Sequence, residues 1–455
     1  MNRLRPILAG LIAAIAGLLL ASPAWAFCGF YVAKADTSLY NQASQVIIAR
    51  QGDRTVLTMA NDYQGEVADF AMVVPVPTVL QEGQVNVGDP AIVQRLDDFS
   101  APRLVEYFDP DPCAPEVFYN EALQALSPPA PTGNLQTRGN GDLGVTVEAE
   151  FAVGEYDIVI LSAEESSGLE TWLIQNDYQI PSGASRLLQP YIRQGLKFFV
   201  ARVNLEEFDR GGFQSLRPLQ IAYESPRFML PIRLGMMNAQ GEQDLVVYLL
   251  SADGQVELTN YRTVRIPSDA QIPVFVKEEF PEFFTAMFDR SHQQENREVA
   301  FLEYAWNMAS CDPCSADPLN TEELRKAGVF WVSPNTDFWN TNVFITRLHV
   351  RYARDKFPED LMFQQTNNQA FFQGRYILQH PFTGEMSCPA GENYRRSLPQ
   401  RFEAEAQTLA RLTGWDINEI RRQLPTIEEA VEPTPWWEDL WQRSGQVLEQ
   451  MTARG

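Results

Sequence analysis

Cys311 and Cys314 are the residues whose spacing points most directly to chemistry, in the string Cys311-Asp312-Pro313-Cys314. Two cysteines separated by two residues can close a small strained ring whose potential suits thiol exchange. A redox enzyme also needs the first thiolate at a helix N-terminus. Here a helical pattern ends just before Cys311, and Pro318 interrupts the stretch beyond Cys314. The string therefore reads first as a structural staple and only second as a redox pair. The same two thiols could supply half of a zinc site, which needs four ligands, usually as two close pairs. Only Cys388, His349 and His380 are available to complete one, and the chain has no second CxxC. No metal and no cofactor is expected.

Other catalytic constellations are thin. The chain has no GxSxG elbow, HExxH helix, P-loop or glycine-rich dinucleotide fingerprint. Its three histidines, His292, His349 and His380, leave few general bases. His349 falls in the alternating apolar and basic run Ile345 to Tyr352, where a strand histidine reads as a packing or surface residue. The acid pairs Glu164-Glu165 and Glu278-Glu279 could serve glycoside cleavage in principle. Neighbouring side chains point in different directions, however, and acid pairs are common in so acidic a chain. The turn Gly139-Asn140-Gly141-Asp142 lacks the series of acidic positions of a calcium loop.

The compartment comes from the N-terminus. Arg3 and Arg5 precede an apolar run from Ile7 to Ala21, and Ala24-Trp25-Ala26 supplies small residues for cleavage, as in a secretory signal peptide cut after Ala26. The run falls short of the roughly 20 apolar residues of a membrane-spanning helix, and Phe27 before Cys28 does not fit a lipidation box. A periplasmic or secreted protein with no later transmembrane segment is expected. Loss of the two arginines takes the formal charge from −23 to −25, which disfavours nucleic acid and anionic lipid. In an oxidising compartment Cys28, Cys113, Cys311, Cys314 and Cys388 are all disulfide candidates, and an odd number leaves at least one outside an intramolecular pair. The preferred map joins Cys28 to Cys113 and Cys311 to Cys314. Its rival closes Cys388 onto a member of the first pair, and spacing does not choose between them.

These residues must be positioned by an α+β chain with an antiparallel, β-rich N-terminal half, helices concentrated in the C-terminal part, and disulfides bracing it. The expected divisions are a leader at 1–26, a β-rich region at 27–266, a helix-rich region with the CxxC at 267–424, and a Pro/Glu linker with a Trp-rich helix at 425–455. Gln45 to Ala49 and Thr55 to Met59 flank the turn residues Gln51-Gly52-Asp53-Arg54 and read as a hairpin. Asn61 to Glu66 reads as a turn, and Phe70 to Val76 as a strand that must end at an edge or leave its sheet at Pro75 and Pro77. The segment from Asp97 to Asn140, with seven prolines, reads as a surface excursion. Strands are expected at Val145 to Val153, Tyr156 to Leu161 and Lys197 to Val203, and helices at Glu165 to Gln175 and Ala184 to Gln194. A second hairpin is expected between Phe228 to Met236 and Leu245 to Ser251, with one strand at Val256 to Ile266. Further helices are expected at Pro281 to Arg290, Arg297 to Ala309, Leu398 to Leu412 and Ile417 to Leu424. The tail carries Trp436, Trp437 and Trp441 at near-helical spacing, fit for docking on the domain, for an envelope partner or for weak surface contact.

Several strings resemble the bacterial family called domain of unknown function 2330. They include Phe27-Cys28-Gly29-Phe30-Tyr31-Val32, Leu57-Thr58-Met59-Ala60-Asn61-Asp62-Tyr63, Val73-Val74-Pro75-Val76-Pro77 and Gly154-Glu155-Tyr156-Asp157-Ile158. Cys311-Asp312-Pro313-Cys314, Leu348-His349-Val350-Arg351-Tyr352 and Phe357-Pro358-Glu359-Asp360-Leu361 belong with them. The resemblance runs from Phe27 to about Leu424. It implies an uncharacterised exported protein and assigns no catalytic residue. The leading expectation is a non-enzymatic binding or structural protein of the cell envelope. An envelope thiol-disulfide enzyme using Cys311 and Cys314 comes second, and a hydrolase with a site assembled only in the fold comes third.

Overall fold

The computed structural model describes residues 30–33, 40–64, 70–114, 145–176, 184–211, 216–237, 241–310, 316–336 and 341–427. The leader, Cys28, Cys311, Cys314 and the tail tryptophans Trp436, Trp437 and Trp441 lie outside these. The chain forms two compact units that interleave in sequence. One comprises residues 1–102, 141–266 and 292–374, and the other 103–140, 267–291 and 375–455.

The larger unit is layered. Its principal sheet runs, in spatial order, Arg262–Arg265, Val299–Asn307, Phe344–Tyr352, Gln243–Ser251, Tyr40–Gln51, Arg54–Gln64, Leu219–Glu224 and Val85–Val87, with Phe372–Gln373 attached to Val299–Asn307. The hairpin at its centre turns at Gly52, whose φ of +57° suits a residue without a side chain. Gln243–Ser251 packs Leu245, Val247 and Leu249 into one cluster and Tyr248 and Leu250 into another, because the sheet is covered on both faces. The first cluster is shared with a five-stranded antiparallel sheet, through Met72, Val74, Ile158, Ile160 and Phe199. Helices Ser166–Gln175 and Ala184–Arg193 cover that second sheet's outer face with Leu169, Leu173, Leu188 and Tyr191. Across the principal sheet, helix Pro90–Ser100 contributes Ile92, Val93, Leu96 and Phe99.

The smaller unit has a parallel sheet in the order Ala270–Ile272, Arg375–His380, Arg103–Phe108. With it go most of helix Phe280–Gln294 and helices Pro389–Thr413 and Ile417–Gln423. The Phe283 ring meets Tyr376 edge-on at 4.8 Å. One disulfide, Cys113–Cys388, joins positions 275 residues apart. Cys388 is also the N-cap of helix Pro389–Thr413, and its sulfur accepts from the Gly391 amide.

Several expectations need correction. Helices are not concentrated in the C-terminal part: Pro90–Ser100, Ser166–Gln175, Ala184–Arg193 and Leu205–Gly211 all precede residue 266. Bracing by several disulfides reduces to one bond among the described residues, and that bond takes Cys113 to Cys388 instead of Cys28. The run expected as a helix from Arg297 to Ala309 is the strand Val299–Asn307, apolar through most of its buried length because it is covered on both faces. Gln243–Ser251 forms no hairpin with the segment before it. It pairs with Phe344–Tyr352 and, in parallel, with Tyr40–Gln51, while Met229–Leu230 pairs with Leu361–Gln365. The single strand from Val256 to Ile266 is two strands in different sheets. Asn61 to Gln64 continues a strand, and the start of the supposed surface excursion contains the strand Arg103–Phe108. The strand Phe70–Val76 stops just before Pro77, and among the described residues Phe30–Ala33 pairs with it as far as Val73 while Pro75 lies opposite Phe198.

Candidate functional site

Two groups of polar side chains stand out, one in each unit. The first grows from the strand Phe344–Tyr352, where Arg347, His349 and Arg351 share a face by two-residue periodicity. The register sets Asp244 opposite Arg351 and Tyr248 opposite Arg347. On the other side the pairing shifts by one residue between Leu302 and Tyr304. Such a bulge re-aims side chains, and here it turns Glu303 toward the three cations. Glu303 Oε1 lies 2.8 Å from His349 Nδ1, and Arg347 Nε donates to its Oε2 at 2.7 Å. His349 Nε2 is 3.1 Å from Asp244 Oδ1, and Arg351 grips Asp244 with Nε and Nη2 at 2.8 and 2.7 Å. Arg347 Nη1 and the Tyr248 hydroxyl both donate to Asp97 on helix Pro90–Ser100.

These contacts set the charges. Burial alone would favour neutral imidazole, but Glu303 and Asp244 raise His349 to about 9. Burial would push Glu303 up, yet His349 and Arg347 hold it below the ordinary carboxylate range. Asp244 is likewise held well down, against its burial, by His349 and Arg351. His349 is thus an imidazolium with both nitrogens engaged by carboxylates, an arrangement that fastens three strands and leaves no free base.

The second group surrounds a cavity of about 280 Å³ in the smaller unit, lined by Phe108, Val274, His380, Thr383, Phe402 and Glu405 among others. Glu405 is 3 % exposed, and its Oε1 has no hydrogen-bond partner. Its nearest cation is Arg401 Nε at 3.5 Å, where no hydrogen bond forms; Arg401 instead donates from Nη1 to Asp109 at 2.5 Å. Burial raises Glu405 to about 7 against the opposing charge of Arg401, with a smaller push from Asp109. At the cavity wall the Phe108 ring, 71 % exposed, stacks on His380 with centroids 4.5 Å apart. His380 Nε2 meets Glu106 at 2.8 Å, and Lys277 pairs with the same carboxylate.

Among the described residues the candidates from the sequence do not gather, and Cys311 and Cys314 lie outside them. His349 sits in the charge network of the larger unit, His380 lines the cavity of the smaller one, and Cys388 is bonded to Cys113. His292, buried, meets the Arg351 carbonyl at 3.1 Å. Among the described residues no three His, Cys, Asp or Glu side chains form a metal-holding group, and no helix is long and apolar enough to cross a membrane. Glu405 escaped the sequence reading. A signal existed: Leu398, Phe402 and Leu409 mark the buried stripe of helix Pro389–Thr413, and Glu405, three residues after Phe402, falls on it.

A family model described as an uncharacterized protein conserved in bacteria, DUF2330, matches residues 22–364. No curated protein and no solved structure matches the chain.

Proposed function

This chain belongs to the uncharacterized bacterial family DUF2330, and we propose that it is an exported, non-enzymatic binding protein of the cell envelope that holds a small ligand in the cavity at Glu405. The observation that carries this reading is a carboxyl oxygen buried without a hydrogen-bond partner beside a cavity. Such a group costs free energy until something donates to it; Arg401, with Nε and Nη2 also unpaired, stands 3.5 Å away and does not, which leaves the part to a ligand in the cavity. The denser polar cluster around His349 argues against hydrolysis, because its acids and bases already neutralise one another. Export is supported by the leader read from the sequence and by the Cys113–Cys388 bond, which suits an oxidising compartment.

The test has two parts. The N-terminal residue of protein recovered outside the cytoplasm should be Phe27, and an uncleaved leader would remove the export step. Thermal-shift screening of the full chain should give small-molecule hits that Thr383→Trp, a change at the exposed rim of the cavity, abolishes. Hits indifferent to that change would remove the cavity from the reading. A thiol-disulfide role for Cys311 and Cys314 is the second reading. It is supported by the bond that withdraws Cys388 as a competing partner. Alkylation of the native protein after mild reduction should label both thiols if the pair is reactive, and neither if it is a staple.

A further inference from the structure

We propose that the ligand of this cavity is a small organic amine, its protonated nitrogen donating to Glu405 and its apolar body lying against Phe108, Phe402, Val274 and Leu424. This identification rests on the binding reading above and adds the chemical class.

Charge complementarity is the first argument. Arg401 is engaged by Asp109, and Lys277 by Glu106, beside which His380 lies. Asp109 and Glu405 share the one Arg401 guanidinium, whose Nε lies 3.5 Å from Glu405 without a hydrogen bond and is itself unpaired, as is Nη2, so the ionised form of Glu405 leaves this set one negative charge in excess. Arg401 approaches it from its own helix and Asp109 from the segment after the strand Arg103–Phe108. Glu106 and His380 stand on two strands of the sheet, and Lys277 in the turn Val274–Lys277. A cation completes this set, whereas an anion would add to a local excess that the formal charge of −23 only deepens. The second argument is the orphaned acceptor. A hydrocarbon or an ether brings the Glu405 carboxylate no donor, while an ammonium supplies a charge-assisted hydrogen bond. The walls provide the third. The exposed Phe108 ring offers a face to a cation or to the body attached to it, and Val274, Phe402, Leu424 and the prolines Pro273, Pro381 and Pro425 favour carbon over further polar groups. Because burial raises the proton affinity of Glu405 to about 7, capture of an amine near neutrality displaces the carboxyl proton, so binding tightens as pH rises through 7 until the amine itself deprotonates.

Calorimetric titration of the full chain at pH 8 with benzylamine, benzyl alcohol and benzoate tests the class. Benzylamine should bind about tenfold more tightly than benzyl alcohol, the difference between a charge-assisted and a neutral hydrogen bond, and benzoate should bind most weakly. Glu405→Gln should erase the preference for amine over alcohol. Phe108→Ala, at an exposed position, should weaken the amine and leave the fold intact, which keeps the test decisive if Glu405→Gln is unstable. Equal binding of amine and alcohol, or a preference untouched by both changes, overturns the amine assignment and leaves the cavity reading standing. Failure of all three probes, together with no hit sensitive to Thr383→Trp, overturns the cavity reading itself.

Discussion

The charge network around His349 makes the larger unit sensitive to alkaline pH. The perturbation is a rise from pH 6 to pH 10, in the native chain and in His349→Gln. Burial opposes charge on this imidazole, but Glu303 and Asp244 raise its proton affinity from 6.5 to about 9. The folded state therefore holds a proton that the unfolded chain releases near 6.5. This contribution is fully present below pH 6.5 and is lost as pH climbs through 9. At about 1.4 kcal/mol per unit, the ceiling is about 3 kcal/mol. Glu303 and Asp244 work in the opposite direction, since both are held below their ordinary values of 4.5 and 3.8. Their contribution is present above about pH 4.5 and fades as acid protonates them, so the network is strongest between about 4.5 and 6.5. A single unfolding curve would mix the two units. Hydrogen exchange of amides in Gln243–Ser251 and Phe344–Tyr352, corrected for the intrinsic pH dependence of exchange, reads the larger unit alone. Protection in the native chain should fall by about 3 kcal/mol between pH 6 and pH 10, and His349→Gln should show little of that fall. An equal decline in both proteins, or none in the native chain, refutes the assignment of His349 as a buried imidazolium.

Glu303→Ala should be far more damaging than His349→Gln at pH 6. It leaves Arg347 and His349 facing a hole in place of their shared carboxylate, at a cost of about 3–5 kcal/mol, read by the same amides. Replacing Cys113 and Cys388 together by serine should destabilise the smaller unit by about 2–5 kcal/mol, since the bond closes a long stretch of chain. A falling denaturation midpoint for that unit, with exchange in Gln243–Ser251 unchanged, would confirm where the bond acts.

What was legible in the sequence was what is local. The hairpin at Gly52, the strand Lys197–Val203 and the helix Ser166–Gln175 each declare themselves within a dozen residues, by a turn glycine, a short apolar run or a helical repeat. Val299–Asn307 did not, because a strand covered on both faces loses the alternation that marks a half-buried one, and its continuous apolar run reads as readily as a buried helix. The charge network was half legible. His349 sat visibly in an alternating run, but its partners come from 46 and 105 residues away, and one of them is aimed by a bulge that no local pattern announces. The cavity was still less accessible, since its lining comes from five stretches of chain spread between Phe108 and Pro425.

Motif-bearing strings and the cavity also lie in different places, and this separates what holds the fold from what the protein binds. Three strings that carried the family resemblance supply halves of buried acid–arginine clips. Glu155 binds the Arg217 guanidinium and backbone amide, Asp360 binds Arg233 together with the Tyr191 hydroxyl, and Arg351 binds Asp244. All three clips lie in the larger unit, each joining segments distant in sequence. Breaking one strands a buried charge, which is costly, so such strings mark structural necessity without marking a shared chemistry. Glu405, Phe402, His380 and Thr383 all fall beyond residue 364, where the family match ends. A relative that keeps both halves of each clip can therefore share the fold without sharing the carboxyl at the cavity. Whether it takes the same ligand depends on what stands at the buried stripe of its own C-terminal helix.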